Sequence, residues 1–214
     1  MITVIYVRHG ATPTTGIELP GRKPGLHLSD KGIKEVEVTA KLLEEACSKD
    51  VKIAAIFSSP LERAKETANI ISKSIMTKVV VDKRIVECDY GDFTSGKLKV
   101  LTKRADWKPL FTWPSGYRFP NGESFNEVSF RLLGFVEHLR SSFKDEVVIA
   151  VSHADPIRIA ISTALGMGID GMSKINVATA SVSIVSYPNL GEMLPVRVVA
   201  TNLNKALINY LGVK

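Results

Sequence analysis

Cysteine is scarce in this 214-residue chain: Cys47 and Cys88 are its only two, and they stand far apart. That excludes a disulfide scaffold and a cysteine-built metal knuckle, and it fits a reducing compartment. Histidine is also sparse. His9, His27, His138 and His153 lie neither at i,i+4 spacing nor beside a cysteine, so no metal is expected. No apolar run approaches the roughly 18 residues that cross a bilayer, so no membrane association is expected. The first residues carry no basic stretch followed by a long apolar one and a small-residue cleavage site, so a cytoplasmic location is expected. Repeats, low-complexity tracts and linkers are absent, which leaves a single domain over 1–214 as the expectation.

What is present is a globular composition, 45% apolar and 23% charged. The net charge of +6 is unevenly spread. Lys97, Lys99, Lys103, Arg104, Lys108 and Arg118 face Asp106 alone, so one short stretch supplies most of the excess. Both tryptophans, Trp107 and Trp113, sit in it with Phe111 and Tyr117.

The apolar run Val4–Val7 ends in Arg8-His9-Gly10, and the run Val147–Val151 ends in Ser152-His153. Both read as buried strands. Ser29 reads as the N-cap of a helix to about Ala46. Ile53–Phe57 is a short strand, and Ser59-Pro60-Leu61-Glu62 reads as a capping box opening a helix to about Ser72. Val79–Val81 is another short strand. Ser124 and Glu127 form a second capping box, opening a helix through Arg140. Strand-like runs at 175–187 and 194–201 close the pattern as a hairpin. Strands alternating with helices give an α/β fold: a three-layer αβα sandwich with a central, mostly parallel but mixed sheet. The Gly- and Pro-bearing segment at about 92–122 is expected to be a lid-like insertion.

Two motif matches carry little. Gly91–Leu98 follows the phosphate-loop pattern until its last position, where Leu98 replaces the magnesium-binding hydroxyl and no buried strand precedes it. Gly166–Gly171 matches GxGxxG by letter but follows a helix, where a dinucleotide fingerprint follows a strand.

Parallel strands put their C-terminal ends on one edge of an open sheet, so His9 and His153 can meet across one pocket. Arg63 opens the helix after the Ile53–Phe57 strand and can face the same edge. A neutral imidazole can attack a phosphoryl group while guanidiniums hold its oxygens. Two arginines, two histidines and no carboxylate cluster for a metal point to metal-free chemistry on a small phosphorylated substrate.

Four blocks in order make the resemblance specific: Arg8-His9-Gly10, Ser58-Ser59-Pro60-Leu61-Glu62-Arg63-Ala64-Lys65-Glu66-Thr67-Ala68, Glu87 with Gly91, and Ser152-His153-Ala154. Gly122-Glu123-Ser124 with Arg131 is a further element. The chain resembles the histidine phosphatase superfamily, the phosphoglycerate-mutase-like group. The resemblance implies a phosphomonoesterase without cofactor. His9 is the nucleophile that becomes phosphohistidine, and Arg8, Arg63 and His153 hold the phosphoryl oxygens. Glu87 is the proton donor, with Asp89 and Asp92 as nearby alternatives. Thr12, Thr15, Arg22 and Ala154 are expected at the substrate.

Other readings stay open. A phosphoglycerate-type mutase shares the first half-reaction, although Thr15 stands where the family often has asparagine, Ala154 where it commonly has glycine, and residues 97–120 match no mutase substrate loop. A nucleic-acid surface on the basic 97–118 segment is a remote alternative, because basic residues interleaved with aromatics can bind single strands. A lid over an anionic substrate explains the same residues. A homodimer is left open.

Overall fold

The computed structural model describes residues 1–48 and 50–203, so the last eleven residues of the expected domain lie outside the described residues. The elements follow in order: β1 (Ile2–Arg8), β2 (Glu18–Leu19), α1 (Asp30–Cys47), β3 (Ile53–Ser58), α2 (Glu62–Ile75) and β4 (Val79–Val81). After them come β5 (Gly96–Lys97), α3 (Leu98–Leu101), α4 (Pro109–Thr112), α5 (Phe125–Ser142), β6 (Val147–Ser152), α6 (Ala154–Ala164), β7 (Val182–Tyr187) and β8 (Arg197–Leu203).

Six strands form one sheet in the order β4-β3-β6-β1-β7-β8. The first four are parallel to one another, while β7 runs antiparallel to β1 and β8 antiparallel to β7. Both faces of β1 and β6 are buried, which explains why their central residues form unbroken apolar runs. Val4, Tyr6, Val148 and Ala150 pack on one face with Val128, Leu132 and Phe135 of α5 and Ile157 and Ile161 of α6. Ile5, Val7, Ile149 and Val151 pack on the other with Val36 and Leu43 of α1 and Ala64, Ala68 and Ile71 of α2. The result is the expected αβα sandwich. Ser29 caps α1 by accepting from Gly32 N–H, and the Ser124–Glu127 capping box forms as read.

The helices after the adjacent strands β1 and β6 lie on opposite faces. Their C-terminal ends therefore diverge and leave a crevice where the winding changes direction. His9 and His153 flank it.

Two local expectations are corrected, and Gly10 gains a packing reason. The capping box at Ser59 does not form, because α2 begins at Glu62 with Leu61 as N-cap and no side-chain cap. The Ser59 hydroxyl is taken by His153 instead. The run expected at 175–187 is strand only from Val182, since residues 177–181 leave the ladder to bind the backbone and side chain at the end of β1. Gly10 is needed less for a turn than for close approach: a Cβ there would sit 2.5 Å from the Gly32 carbonyl oxygen of α1.

The segment after Glu87 returns on itself. Asp92 N–H donates to Pro120 O (3.0 Å) and Glu123 N–H to Asp89 O (2.9 Å). Gly91 sits at the crossing with φ +50°, and a Cβ there would lie 2.0 Å from Pro120 O. Neither the backbone angle nor the contact admits a side chain. Gly91→Ala should destabilise the fold by more than about 1 kcal/mol, read as a lowered midpoint in urea; an unchanged midpoint would contradict this packing.

Candidate active site

His9 follows the last residue of β1 and is locked by backbone on both sides. Its N–H donates to Ser152 O (3.0 Å) and its carbonyl accepts from Ala180 N–H (3.2 Å). Nδ1 lies 2.7 Å from Gly10 O, and Arg63 Nε donates to Nε2 at 3.2 Å. A guanidinium has only donors, so Nε2 carries the lone pair and Nδ1 the proton. The attacking tautomer is set by these two contacts. Burial, then the charges of Arg63 and Arg8, hold the ring well below the ordinary histidine pKa, against the opposing Gly10 bond.

His153 follows β6, with ring centroids 5.1 Å apart between the two histidines. Its Nε2 is 2.7 Å from Ser59 Oγ. It too is kept neutral, first by burial and then by Arg63, His9 and Arg8. Arg63, fully buried, also donates Nη2–H to Gly21 O (2.7 Å), and Arg8 donates Nη1–H to Val177 O (2.7 Å). Among the described residues neither guanidinium has a carboxylate within ion-pair distance. Arg8 Nε, Arg63 Nη1 and His153 Nδ1 are buried with no protein partner. Three unpartnered nitrogens around one histidine constitute an anion-binding arrangement, because orphaned buried donors are costly.

Glu87 lies in the loop after β4, and burial followed by the charge of Asp155 raises its carboxyl to about 7, against the pull of Arg63, Cys88 N–H and Arg8. Cys88 N–H donates to its Oε1 at 2.9 Å. A cavity of about 340 Å³ opens beside these groups and is lined by Arg8, His9, Thr12, Thr15, Glu87 and Ala154. Arg63 and His153 are fully buried beside His9 and are not among its lining residues. Thr12 and Thr15 bind each other, with Thr15 Oγ1 accepting from Thr12 N–H (2.9 Å) and 3.1 Å from Thr12 Oγ1.

Arg22 is placed elsewhere than expected. Its Nε donates to Glu87 O (2.9 Å), and Nη2 pairs with Glu123 (2.7 Å). It holds the backbone of Glu87 together with Arg131, whose Nη2 donates to the same carbonyl at 3.1 Å. Asp89 and Asp92 do not line the cavity: Asp89 caps Gly91 N–H and Asp92 accepts from Asn121. The cations of 97–118 are corrected as well. All six are exposed and none lines the cavity, which receives Leu98, Trp107, Leu110, Phe111 and Phe119 instead. Arg104 pairs with Asp106 and Arg118 with Glu127.

Sequence reasoning missed Ser59, Tyr90, Asp155 and Arg158. Tyr90 donates its hydroxyl to Asp155 (2.7 Å), and Arg158 pairs with Asp155 (3.1 Å). The i,i+3 spacing of Asp155 and Arg158 just after His153 was the available signal. A second cavity of about 610 Å³ lies between α5, α6 and Pro188–Val196, but no histidine lines it.

Residues 4–196 match the model of the histidine phosphatase superfamily (branch 1). The chain belongs to this superfamily. It is 30% identical over 190 residues to phosphoserine phosphatase 1 of Hydrogenobacter thermophilus, covering 86% of both chains. It is 26% identical over 189 residues to a protein of Erwinia tasmaniensis named "Probable phosphoglycerate mutase", covering 87% of this chain and 86% of that one. The solved mycobacterial glucosyl-3-phosphoglycerate phosphatase superposes with a TM-score of 0.81 at 21% identity, over 94% of this chain and 98% of that one, a likeness of fold.

The histidine phosphatase geometry makes a spectroscopic prediction. At pH 6 an ordinary histidine is about three-quarters protonated. The ¹⁵N spectrum should instead show His9 and His153 neutral there, with His9 protonated on Nδ1. Charged rings at pH 6 would contradict the electrostatics described.

Proposed function

We propose that the protein is a metal-independent phosphomonoesterase that passes the phosphoryl group of a small substrate through His9. The observation that carries this is the neutral His9 with its Nε2 lone pair directed at Arg63 beside three unpartnered buried nitrogens. Relatives named as phosphatases support the same reading.

In the first step His9 Nε2 attacks phosphorus and the P–O ester bond breaks. The phosphoryl oxygens take the donors of Arg8, Arg63 and His153, which offset the charge that spreads over them. Glu87 gives its proton to the leaving oxygen. In the second step Glu87, now a carboxylate, takes a proton from water as the water oxygen attacks phosphorus. The P–N bond breaks and His9 returns to its neutral form. Thr12, Thr15 and the N-terminus of α6 at Ala154 border the space the substrate occupies. Arg22 is a positioning residue that acts through the backbone of Glu87. The chain works as one domain, with 92–122 as the wall and lid of the cavity. The mutase reading differs only in what attacks the phosphohistidine, a substrate hydroxyl in place of water.

Glu87 must be protonated for the first step, and its pKa stands at about 7. For alkyl phosphates, kcat/KM should therefore fall as pH rises through about 7. The acid limb, set by His9, should lie below the ordinary histidine range. Glu87→Gln should remove the alkaline limb and slow alkyl esters roughly 10²–10⁴-fold, while activated aryl phosphates, which leave without a proton, slow far less. Chelation with EDTA should leave all rates unchanged. Equal slowing of both ester classes, or a rate restored only by a divalent ion, would overturn the mechanism.

A further inference from the structure

The cavity extends beyond the phosphoryl end, and its far wall is unlike its near one. The near end holds Arg8, His9 and Glu87. The far end is built from Leu98, Trp107, Leu110, Phe111, Phe119 and Met172. These come from the inserted segment and from the turn after α6, which pack together through Ser115, whose N–H and hydroxyl both donate to Asp170. The wall is rigid where it matters: Trp107 stacks on Phe93 at 5.8 Å, and Phe119 meets Tyr90, Phe93, Tyr117 and Phe125 edge-on at 5.0–5.9 Å.

Charge on the far side is already spent. Arg158, the one cation lining the cavity besides Arg8, pairs with Asp155 and donates Nε–H to Ile175 O at 3.1 Å. Glu18 also lines the cavity, and its carboxylate repels an anion. A substrate with a carboxylate or a second phosphate would therefore bring a negative group to an apolar wall, an arginine whose charge Asp155 already offsets, and a like charge. Desolvating that group without a partner is strongly unfavourable. A void of about 150 Å³ holds a benzene ring, so a cavity of about 340 Å³ takes a phosphoryl group and one ring-sized body.

We propose that the alcohol released by this enzyme is a ring-sized apolar body bearing no carboxylate and no second phosphate, seated against Trp107, Leu110 and Phe111. The inference rests on the phosphomonoesterase reading and names its substrate class. It separates this chain from enzymes whose substrates are phosphorylated hydroxy or amino acids. An oxygen or ring nitrogen on the body would also satisfy the Trp107 indole N–H, which is buried without a partner.

The test uses two inert phosphonates of similar size, benzylphosphonate and 3-phosphonopropionate, titrated against the full chain by calorimetry. Benzylphosphonate should bind at least tenfold more tightly. Phe111 is largely exposed at the rim of the cavity, so Phe111→Lys should leave the fold intact while supplying the missing cation. It should shrink the preference at least fivefold. Equal or tighter binding of 3-phosphonopropionate to the unmodified chain would overturn the inference, as would an unchanged ratio in Phe111→Lys. Binding of neither probe at millimolar concentration would overturn it by removing the phosphate cradle. Neither probe is hydrolysed, so the result is independent of turnover. If the phosphomonoesterase reading alone were wrong, the phosphonate preference would stand while benzyl phosphate went uncleaved.

Discussion

The burial of Arg63 without a carboxylate partner is the constraint on which the rest of this structure depends. Among the described residues it is the largest fully buried side chain, and its guanidinium hydrogen-bonds to His9 Nε2 and the Gly21 carbonyl. Arg8, half-buried at the cavity wall, is likewise bonded to one backbone carbonyl and has no carboxylate partner among the described residues. Burying charge in this way costs several kcal/mol per ion, and a structural protein would cancel it with an aspartate. Here the two guanidiniums add to the histidines' own burial in keeping both rings neutral, and they leave unpartnered buried nitrogens beside His9. The one carboxyl nearby, Glu87, is held at about 7, so it does not neutralise the arginines and can still give up a proton.

The fold bears this strain by distributing the site over its stiffest parts. The backbone at His9 is bonded to β6 and to the loop before β7, so this residue is fixed by three segments. Glu87 is fixed by two arginines on its carbonyl, and these are tied through Glu123 to the start of α5. Gly91 lets the inserted segment cross itself directly behind that acid. Phosphoryl transfer and substrate selection thus share a boundary: the same loop that positions Glu87 launches the apolar wall.

Much of this was legible in the sequence because it depends on local pattern. Two apolar runs, buried on both faces, could only be central strands, and each ended in a histidine. The Ser58–Ala68 block placed Arg63 on the first turn of a helix facing the same edge. Other features were not legible because distant contacts decide them. Ser59 looked like a helix cap until His153, 94 residues on, claimed its hydroxyl. Arg22 looked like a substrate contact because its true partners, Glu123 and the Glu87 carbonyl, lie 65 or more residues away. The basic run 97–118 reads as an electrostatic lid in one dimension. In three, its cations face water, while Trp107 and Phe111 line the cavity and Trp113 stays exposed.

The account turns on which atom of which residue carries the phosphoryl group. The most direct measurement is rapid quench of the enzyme with a ³²P-labelled monoester under alkaline conditions, followed by peptide mapping and ³¹P NMR of the labelled fragment. With Nδ1–H committed to Gly10 O, the label should sit on Nε2 of His9, be stable to base and be lost in acid. A label on His153, on Nδ1 of His9 or on a carboxylate, or turnover with no covalent label, would contradict it.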